Sequence, residues 1–482
     1  MNELRKKTIS GFIYKMLERV GAQGVNFIVS LVLARLLLPD EYGLISLVLV
    51  IINILDVFVT YGFGNSLIAD KNSDSVDFST CFYFGLVFSC LVYAALFFAA
   101  PYISIFYKSP KLEIVLKIMG LRVPIAAINS VQQAYVSKHM MFKKFFISTS
   151  IGTVVSGVIA IIMAYYGAGV WALVEQYMGN VICDTICLWL IVGWRPIKAF
   201  SIKRLKKIYD YGWKILLVGL IDTGYSQMRS LVIAKRYSNS DLAYYNKGNQ
   251  FPALGMNIIE PTINGVLFPA LSQCQDDVSE MRSITRRMIK VSTYLVFPIM
   301  IGLIVVAEPL VTVLLTEKWI ECVPYLQICC VAYLFRPLQF INNSVIKASG
   351  NGGLLLKLDV IKKIFGIILL LISMPFGVKT IAISFALTNY ISTIINIGPN
   401  RKILDYGYRQ QIKDVFLSGL ASVIMGGVVF YIGKLNIDTL LLLVLQVFSG
   451  VILYFCLSKI LHIDSFDYLL QMLKNIREKR QA

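Results

Sequence analysis

The stretch LRVPIAAINSVQQAYVS, Leu121–Ser137, decides how this chain is read, because it occurs twice. Its second copy, FRPLQFINNSVIKASGN, lies 214 positions further on at Phe335–Asn351. Arg122 falls on Arg336, the run Asn129, Ser130, Val131 on Asn343, Ser344, Val345, and Ala134 on Ala348. Five identities in seventeen positions, where chance supplies roughly one, mark an internal repeat. Each copy reads as part of an apolar helix with an arginine near mid-span and an amide two turns later. An arginine at that depth is costly in lipid and faces a protein interior or a watery cavity. Two such helices in two repeated halves imply a transporter with its binding site where the repeats meet.

Composition agrees with a membrane protein. Of 482 residues, 57% are hydrophobic and only 15% charged, where a soluble domain carries about 25%. Apolar segments of about 20 residues, the length that crosses roughly 30 Å of hydrocarbon, recur throughout. The expected fold is all-α and polytopic, with about fourteen transmembrane helices. The first six spans fall near 13–38, 42–65, 79–100, 113–136, 146–166 and 170–193. The next six fall near 212–235, 250–271, 290–312, 323–346, 355–376 and 380–400, and two more near 414–433 and 438–460. This gives an N-terminal lobe over 1–193, a basic linker over 194–211, a C-terminal lobe over 212–400, and a last pair of spans with a basic tail over 401–482.

The net charge of +18 reports short loops between spans and not a nucleic-acid partner. Lys138, Lys143, Lys144, Arg195, Lys198, Lys203, Arg204, Arg282, Arg286, Arg287, Lys290, Arg401, Lys402, Arg409 and Lys413 fall on alternate loops. The positive-inside rule therefore places both termini in the cytoplasm. The first span, behind the basic MNELRKKTIS, is too long for a signal-peptide core and is expected to be retained. The linker WRPIKAFSIKRLKKIYDYGW alternates cations with Phe200, Ile202, Leu205 and Ile208, the pattern of an amphipathic helix on the membrane surface. The repeat continues outside its first stretch: Ala34-Arg35 matches Ala234-Lys235, and Asp40-Glu41-Tyr42 resembles Asp241-Leu242-Ala243-Tyr244. Nine scattered cysteines without a C-x-x-C, and two histidines, give no metal centre, so no metal or cofactor is expected.

Three stretches carry a resemblance to a known family. ARLLLPDEYGLISLV (Ala34–Val48), SKHMMFKKFF (Ser137–Phe146) and FPALSQ (Phe268–Gln273) resemble the polysaccharide-transport family, the O-antigen, colanic-acid and teichuronic-acid exporters of the multidrug/oligosaccharidyl-lipid/polysaccharide superfamily. The resemblance covers about the first 400 residues. It implies a flippase of the bacterial inner membrane that moves undecaprenyl-pyrophosphate-linked oligosaccharide to the outer leaflet by alternating access. It also implies a cationic cavity, and a glycan polymerase and other assembly proteins as partners.

A diphosphate calls for cations, and arginine's planar fork suits it best. Arg122 and Arg336 lead, followed by Arg19 in the first span and Arg229 in the seventh. Their alternative role is pairing with carboxylates or carbonyls inside the bundle. Asn129, Gln132, Gln133, Asn342 and Asn343 are candidates for hydrogen bonds to sugar hydroxyls, or else for joining helices. Asp56, Asp222 and Glu18 are candidates for coupling to a proton or sodium gradient, and Asp56 and Asp222 could instead neutralise Arg19 or Arg229. Glu175, Asp184, Glu260 and Glu308 are lesser options, with Pro261 expected to break the helix beside Glu260. A drug/cation antiporter of the same superfamily would favour deep acids over deep arginines. A membrane glycan polymerase or ligase would find its acids at Asp40-Glu41, although Pro39-Asp40-Glu41 equally opens a helix. No G-x-x-x-x-G-K-[ST] is present for ATP.

Overall fold

The structure is a computed structural model that describes residues 21, 23–60, 67 and 73–471, with the backbone only at 207–211. Arg19 and Glu18 lie outside the described residues. The described residues form helices and no strand. They divide into two compact units, Met1–Ala243 and Tyr244–Ala482.

The first unit holds α1 (Gln23–Leu36), α2 (Pro39–Thr60), α3 (Ser75–Tyr107), α4 (Pro110–Gly120), α5 (Arg122–Lys138), α6 (Phe142–Tyr165), α7 (Val170–Ile191) and α8 (Ile202–Arg236). Caps set several boundaries. Asp74 accepts from the backbone of Val76 and Asp77 at the start of α3, and the Asp77 carboxylate answers to the Asp74 amide. Gly167 and Gly169, at φ +79° and +58°, make the tight turn between α6 and α7 that other residues would resist. Ser148, Gly152, Ser156, Ala160 and Ala164 recur every fourth residue on the buried face of α6. Such small residues let helices approach closely in lipid. A Cβ on Gly152 would stand only 3.0 Å from the Asn180 carbonyl of α7. The opposite face shows Ile151, Val155, Val158 and Ile162 to the outside. This inverts the soluble pattern and suits a hydrocarbon surround.

The second unit takes up α9 (Asn239–Gln273), which begins just ahead of it, and continues with α10 (Val278–Val305), α11 (Ala307–Leu315), α12 (Val323–Tyr333) and α13 (Arg336–Ala348). It ends with α14 (Gly352–Ser373), α15 (Val378–Leu404), α16 (Tyr408–Ile432) and α17 (Thr439–Ile460). Among the described residues, eight helical segments, counting α4 and α5 together, are long and apolar enough to cross a membrane. Three of the expected spans are each two helices end to end: α4–α5, α10–α11 and α12–α13. The last two spans do not stand apart. Tyr294 of α10 donates to Ser458 of α17 at 3.1 Å, and Tyr454 of α17 donates to the Tyr294 carbonyl at 2.8 Å.

Three boundaries differ from the sequence expectation. The division falls after Ala243, because α8 packs on α2 and α3 within the first unit. Secondly, 194–211 is not one surface helix. Residues 192–200 form no helix and are tied to α3 by Ile197 N–H to Ser79 Oγ (3.0 Å), as is Ser201 by its N–H to Thr80 Oγ1 (3.2 Å). The helix starts only at Ile202 and, meeting no proline, runs on into the seventh span. Thirdly, α9 stays helical through Pro252, Pro261 and Pro269, so Glu260 does not sit at a break.

Arg204 fastens the strap to α3. Its guanidinium bonds Asp74 and stands 3.3 Å from Asp77. The hydrogen bond from Arg204 lowers the Asp74 carboxyl to about 2, helped by the amides of Asp77 and Val76 and opposed by desolvation. A carboxyl held below its free value of about 3.9 keeps its contribution above that pH and loses it as pH falls towards the folded value. Amide protection factors over 197–204 are therefore expected to stay constant between about pH 5 and 8 and to fall as the pH drops from about 4 to 2. Arg204→Gln should lower them already at neutral pH. Loosening of the wild-type strap above about pH 5 would contradict this pairing.

Candidate functional site

Both repeat-related arginines stand at helix breaks rather than in mid-helix. Arg122 opens α5 one residue after α4 ends, and Arg336 opens α13 two residues after α12. Proline explains both places. Pro124 has no N–H for the Gly120 carbonyl, and Pro337 has none for the Tyr333 carbonyl.

Each arginine meets a carboxylate from its own unit. In the first unit Arg122 Nε lies 3.6 Å from Asp56 Oδ2 of α2. Arg122 Nε and Asp56 Oδ1 are enclosed there without a hydrogen-bond partner. In the second unit Arg336 Nε donates to Glu260 Oε2 of α9 at 2.8 Å, and its guanidinium lies 5.5 Å from the Tyr333 ring centre. The longer glutamate closes the gap that the aspartate leaves open. Asp56 therefore stands beside Arg122, and Glu260 has a defined partner in Arg336. The signal was present in the sequence. The second-span register of 200 that joins Ala34 to Ala234 carries Asp56 to Met256, one helical turn before Glu260.

Within α8, Arg229 is buried, with its guanidinium 5.9 Å from the Tyr225 ring centre, and Asp222 is exposed. The amides divide. Gln132 is fully buried and donates to the Trp194 carbonyl at 3.1 Å. Asn342 is fully buried and bonds Gln411 Oε1 at 2.9 Å, while its own oxygen accepts from Asn400 at 2.6 Å. Gln132 thus ties α5 to the segment after α7 and Asn342 joins helices, and in this conformation neither offers the sugar contact expected of it. Asn129 donates to Asp184 of α7 at 2.7 Å. Asn343 is half-buried with an enclosed, unpartnered oxygen, and Gln133 is exposed. Ser344 binds Asn264 of α9 at 3.0 Å, so α13 is pinned to α9 beside the charge pair.

The acids of the helix-opening turn are accounted for by local structure. Glu41 Oε2 accepts the Leu38 amide at 2.9 Å, and Asp241 Oδ2 accepts the Ser238 amide at 3.1 Å. This equivalence, Glu41 with Asp241, keeps the register of 200. Among the described residues no three His, Cys, Asp or Glu side chains come together to hold a metal ion.

Chemically, each unit thus offers a guanidinium that is neutralised but not sealed, at a point where the backbone ladder is already interrupted. An anion with several oxygens competes well with one carboxylate for such a fork.

Comparison with known proteins places this arrangement. The model of a family described as "Polysaccharide biosynthesis protein" matches residues 32–324. The succinoglycan biosynthesis transport protein ExoT of Rhizobium meliloti (strain 1021) is 24% identical over 313 residues, which is 65% of this chain and 63% of that relative. The lipopolysaccharide biosynthesis protein WzxC of Escherichia coli (strain K12) is 24% identical over 422 residues, 86% of this chain and 85% of the relative. Among solved structures, the lipid II flippase MurJ in its inward closed conformation superposes with a TM-score of 0.75. It shares 15% identity and covers 95% of this chain and 99% of its own, which shows a common fold.

Proposed function

The chain belongs to the polysaccharide biosynthesis protein family, and from that premise we propose that it flips undecaprenyl-pyrophosphate-linked oligosaccharide from the inner to the outer leaflet of a bacterial cytoplasmic membrane. The observation that carries the reading is the pair of repeat-related arginines, Arg122 and Arg336, each balanced by one carboxylate at a helix break. In the resting protein Asp56 and Glu260 neutralise the arginines and lower the cost of holding charge away from water. The cargo's diphosphate brings more oxygens and more charge than one carboxylate, so it takes the guanidinium over. Arg122 yields first, because its Nε makes no hydrogen bond to Asp56. Asp56, once displaced from Arg122, is then the carboxylate available to take up a coupling proton or sodium ion. Any charge moved in the cycle also draws on the membrane potential, about 2.3 kcal/mol per charge per 100 mV.

The orientation proposed has both termini in the cytoplasm. Cations gather at one end of each unit: Lys138 and Arg204 meet Ser73 and Asp74 in the first, and Arg282 meets Asp405 in the second. Those ends are read as cytoplasmic. In this reading the chain does no covalent chemistry on its cargo. It receives lipid-linked glycan from cytoplasmic assembly enzymes and passes it to a polymerase or transferase outside.

The test is where the cargo accumulates. In a strain lacking the protein, lipid-linked glycan is expected to build up out of reach of a non-permeant glycan probe. Wild type should restore labelling, and Arg122→Ala/Arg336→Ala should not, although it reaches the membrane. Full labelling by that double variant would remove the arginines from the mechanism. Glycan that is labelled but unpolymerised would favour a polymerase, and unchanged lipid-linked glycan a drug antiporter.

A further inference from the structure

A basic cavity lies at the end of the second unit that carries its loop cations. It encloses about 500 Å³ between the first turns of α10 and the segment that follows α17. Arg286, Arg287, Lys290, Ser465 and Tyr468 are among its walls. Two of the cations are committed. Arg286 makes a two-pronged bond to Asp414, both contacts 2.7 Å, and Lys290 reaches Asp464 at 2.7 Å and Asp414 at 3.5 Å. Arg287 has no carboxylate partner among the described residues, and its guanidinium lies 5.4 Å from the Tyr468 ring centre. Three cations thus face two carboxylates. Across from them Ser465 is 3% exposed, yet its hydroxyl has no hydrogen-bond partner. A buried, unpartnered hydroxyl is destabilising unless something occupies it. A surplus guanidinium and an idle hydroxyl lining the same cavity ask for the same thing, an oxygen-rich anion.

We propose that this cavity binds the phosphodiester headgroup of an anionic phospholipid, held by Arg287 and Ser465 with Lys290 beside them. The alternative source of the same chemistry is free phosphate. Apolar surface favours the lipid: Tyr468, Leu470 and, at the end of α17, Ile460 are exposed along the segment that carries Ser465. Acyl chains would cover these groups, whereas a soluble ion leaves them bare. Basic recesses between helices on the cytoplasmic side are suited to anionic lipid headgroups. The placement in the inner leaflet rests on the orientation proposed above, while binding itself does not. The site lies away from Arg336 and Glu260 in sequence and shares no lining residue with that pair.

The full-length protein, purified in detergent, is titrated with short-chain phosphatidylglycerol or phosphatidylcholine, and bound lipid is counted by native mass spectrometry. Wild type should retain phosphatidylglycerol in preference to phosphatidylcholine. Arg287→Gln should weaken that retention roughly fivefold, the effect of one cation near a lipid headgroup, and Arg287→Lys should restore most of it. Ser465→Ala should also weaken retention without lowering stability in lipid-free detergent, because the hydroxyl it removes has no protein partner. Equal retention by wild type, Arg287→Gln and Ser465→Ala overturns the proposal. Displacement of the lipid by millimolar inorganic phosphate overturns the lipid assignment in favour of free phosphate. Glycan labelling in cells, measured in parallel on Arg287→Gln, keeps the two readings separate: loss of lipid binding with labelling intact leaves the transport reading standing, and the converse leaves this one.

Discussion

Arg336→Ala is expected to abolish export and also to destabilise the second unit, whereas Glu260→Gln/Arg336→Ala should recover the stability and not the export. The single change leaves the Glu260 carboxylate enclosed by α9 and α13 without the donor that now stands 2.8 Å away. Removing one partner of a fully buried ion pair costs about 3–5 kcal/mol, mainly through the charge left behind. Here the side chains retain 34% and 26% of their accessible surface, so a loss nearer about 2 kcal/mol is expected. Replacing both charges removes that penalty, and the double variant should melt close to wild type. Export should stay lost if the guanidinium is the group that receives the diphosphate. Arg336→Lys refines the point: it keeps the charge but gives up the two-pronged geometry, and should retain only a small part of the export. The measurements are thermal unfolding of purified protein and labelling of outer-leaflet glycan. If the double variant exports normally, Arg336 is a structural ion-pair partner and the transport role passes elsewhere.

How much of this is legible in the sequence depends on the scale. The helical membrane class follows from composition, and the repeat by itself points to Arg122 and Arg336. The carboxylates they meet cannot be read so directly. Asp56 and Arg122 are separated by two helices' worth of chain, and spacing along one helix says nothing about which neighbour a side chain reaches. The breaks are signalled by Pro124 and Pro337 but are outweighed by the apolar run around them. Conversely Pro261 suggests a break that α9 does not have, since a long helix packed on its neighbours absorbs prolines that a hydropathy reading treats as stops. Amides are the least legible. Gln132 and Asn129 differ by under one turn in α5, yet one meets a loop carbonyl and the other a carboxylate on α7.

The family-like turn ARLLLPDEYGLISLV yields the second large prediction, because its glycine is where two helices' backbones touch. Pro39 opens α2, the Glu41 side chain closes on the Leu38 amide, and Tyr42 donates to the Ser30 carbonyl of α1 at 3.1 Å. Those contacts aim the next residue, Gly43, at the first residue of α9. A Cβ there would stand 1.8 Å from the Asn239 carbonyl oxygen and 2.3 Å from its carbon. Both atoms are main chain, so no side-chain rotation relieves the overlap. Gly43→Ala must push the α8–α9 turn off α2. Overpacking ordinarily costs about 1–3 kcal/mol, and with backbone as the obstacle a loss of roughly 3 kcal/mol is expected, with little folded protein recovered. The control is Gly85→Ala in α3, where an added Cβ meets nothing within 4 Å. That change should be neutral or stabilise by up to about 1 kcal/mol, since alanine is the better helix former. Gly248→Ala, facing main-chain atoms of Cys322 and Leu326 at 2.7–2.8 Å within the second unit, should fall between the two. Equal melting temperatures for Gly43→Ala and Gly85→Ala would show that α2 and the start of α9 do not approach as described, and would return Asp40-Glu41 to consideration as a reactive pair. A graded series, 43 worst and 85 harmless, would fix the turn as the joint that fastens α2 to the start of α9, and leave chemistry with the cargo to the arginines at the two breaks.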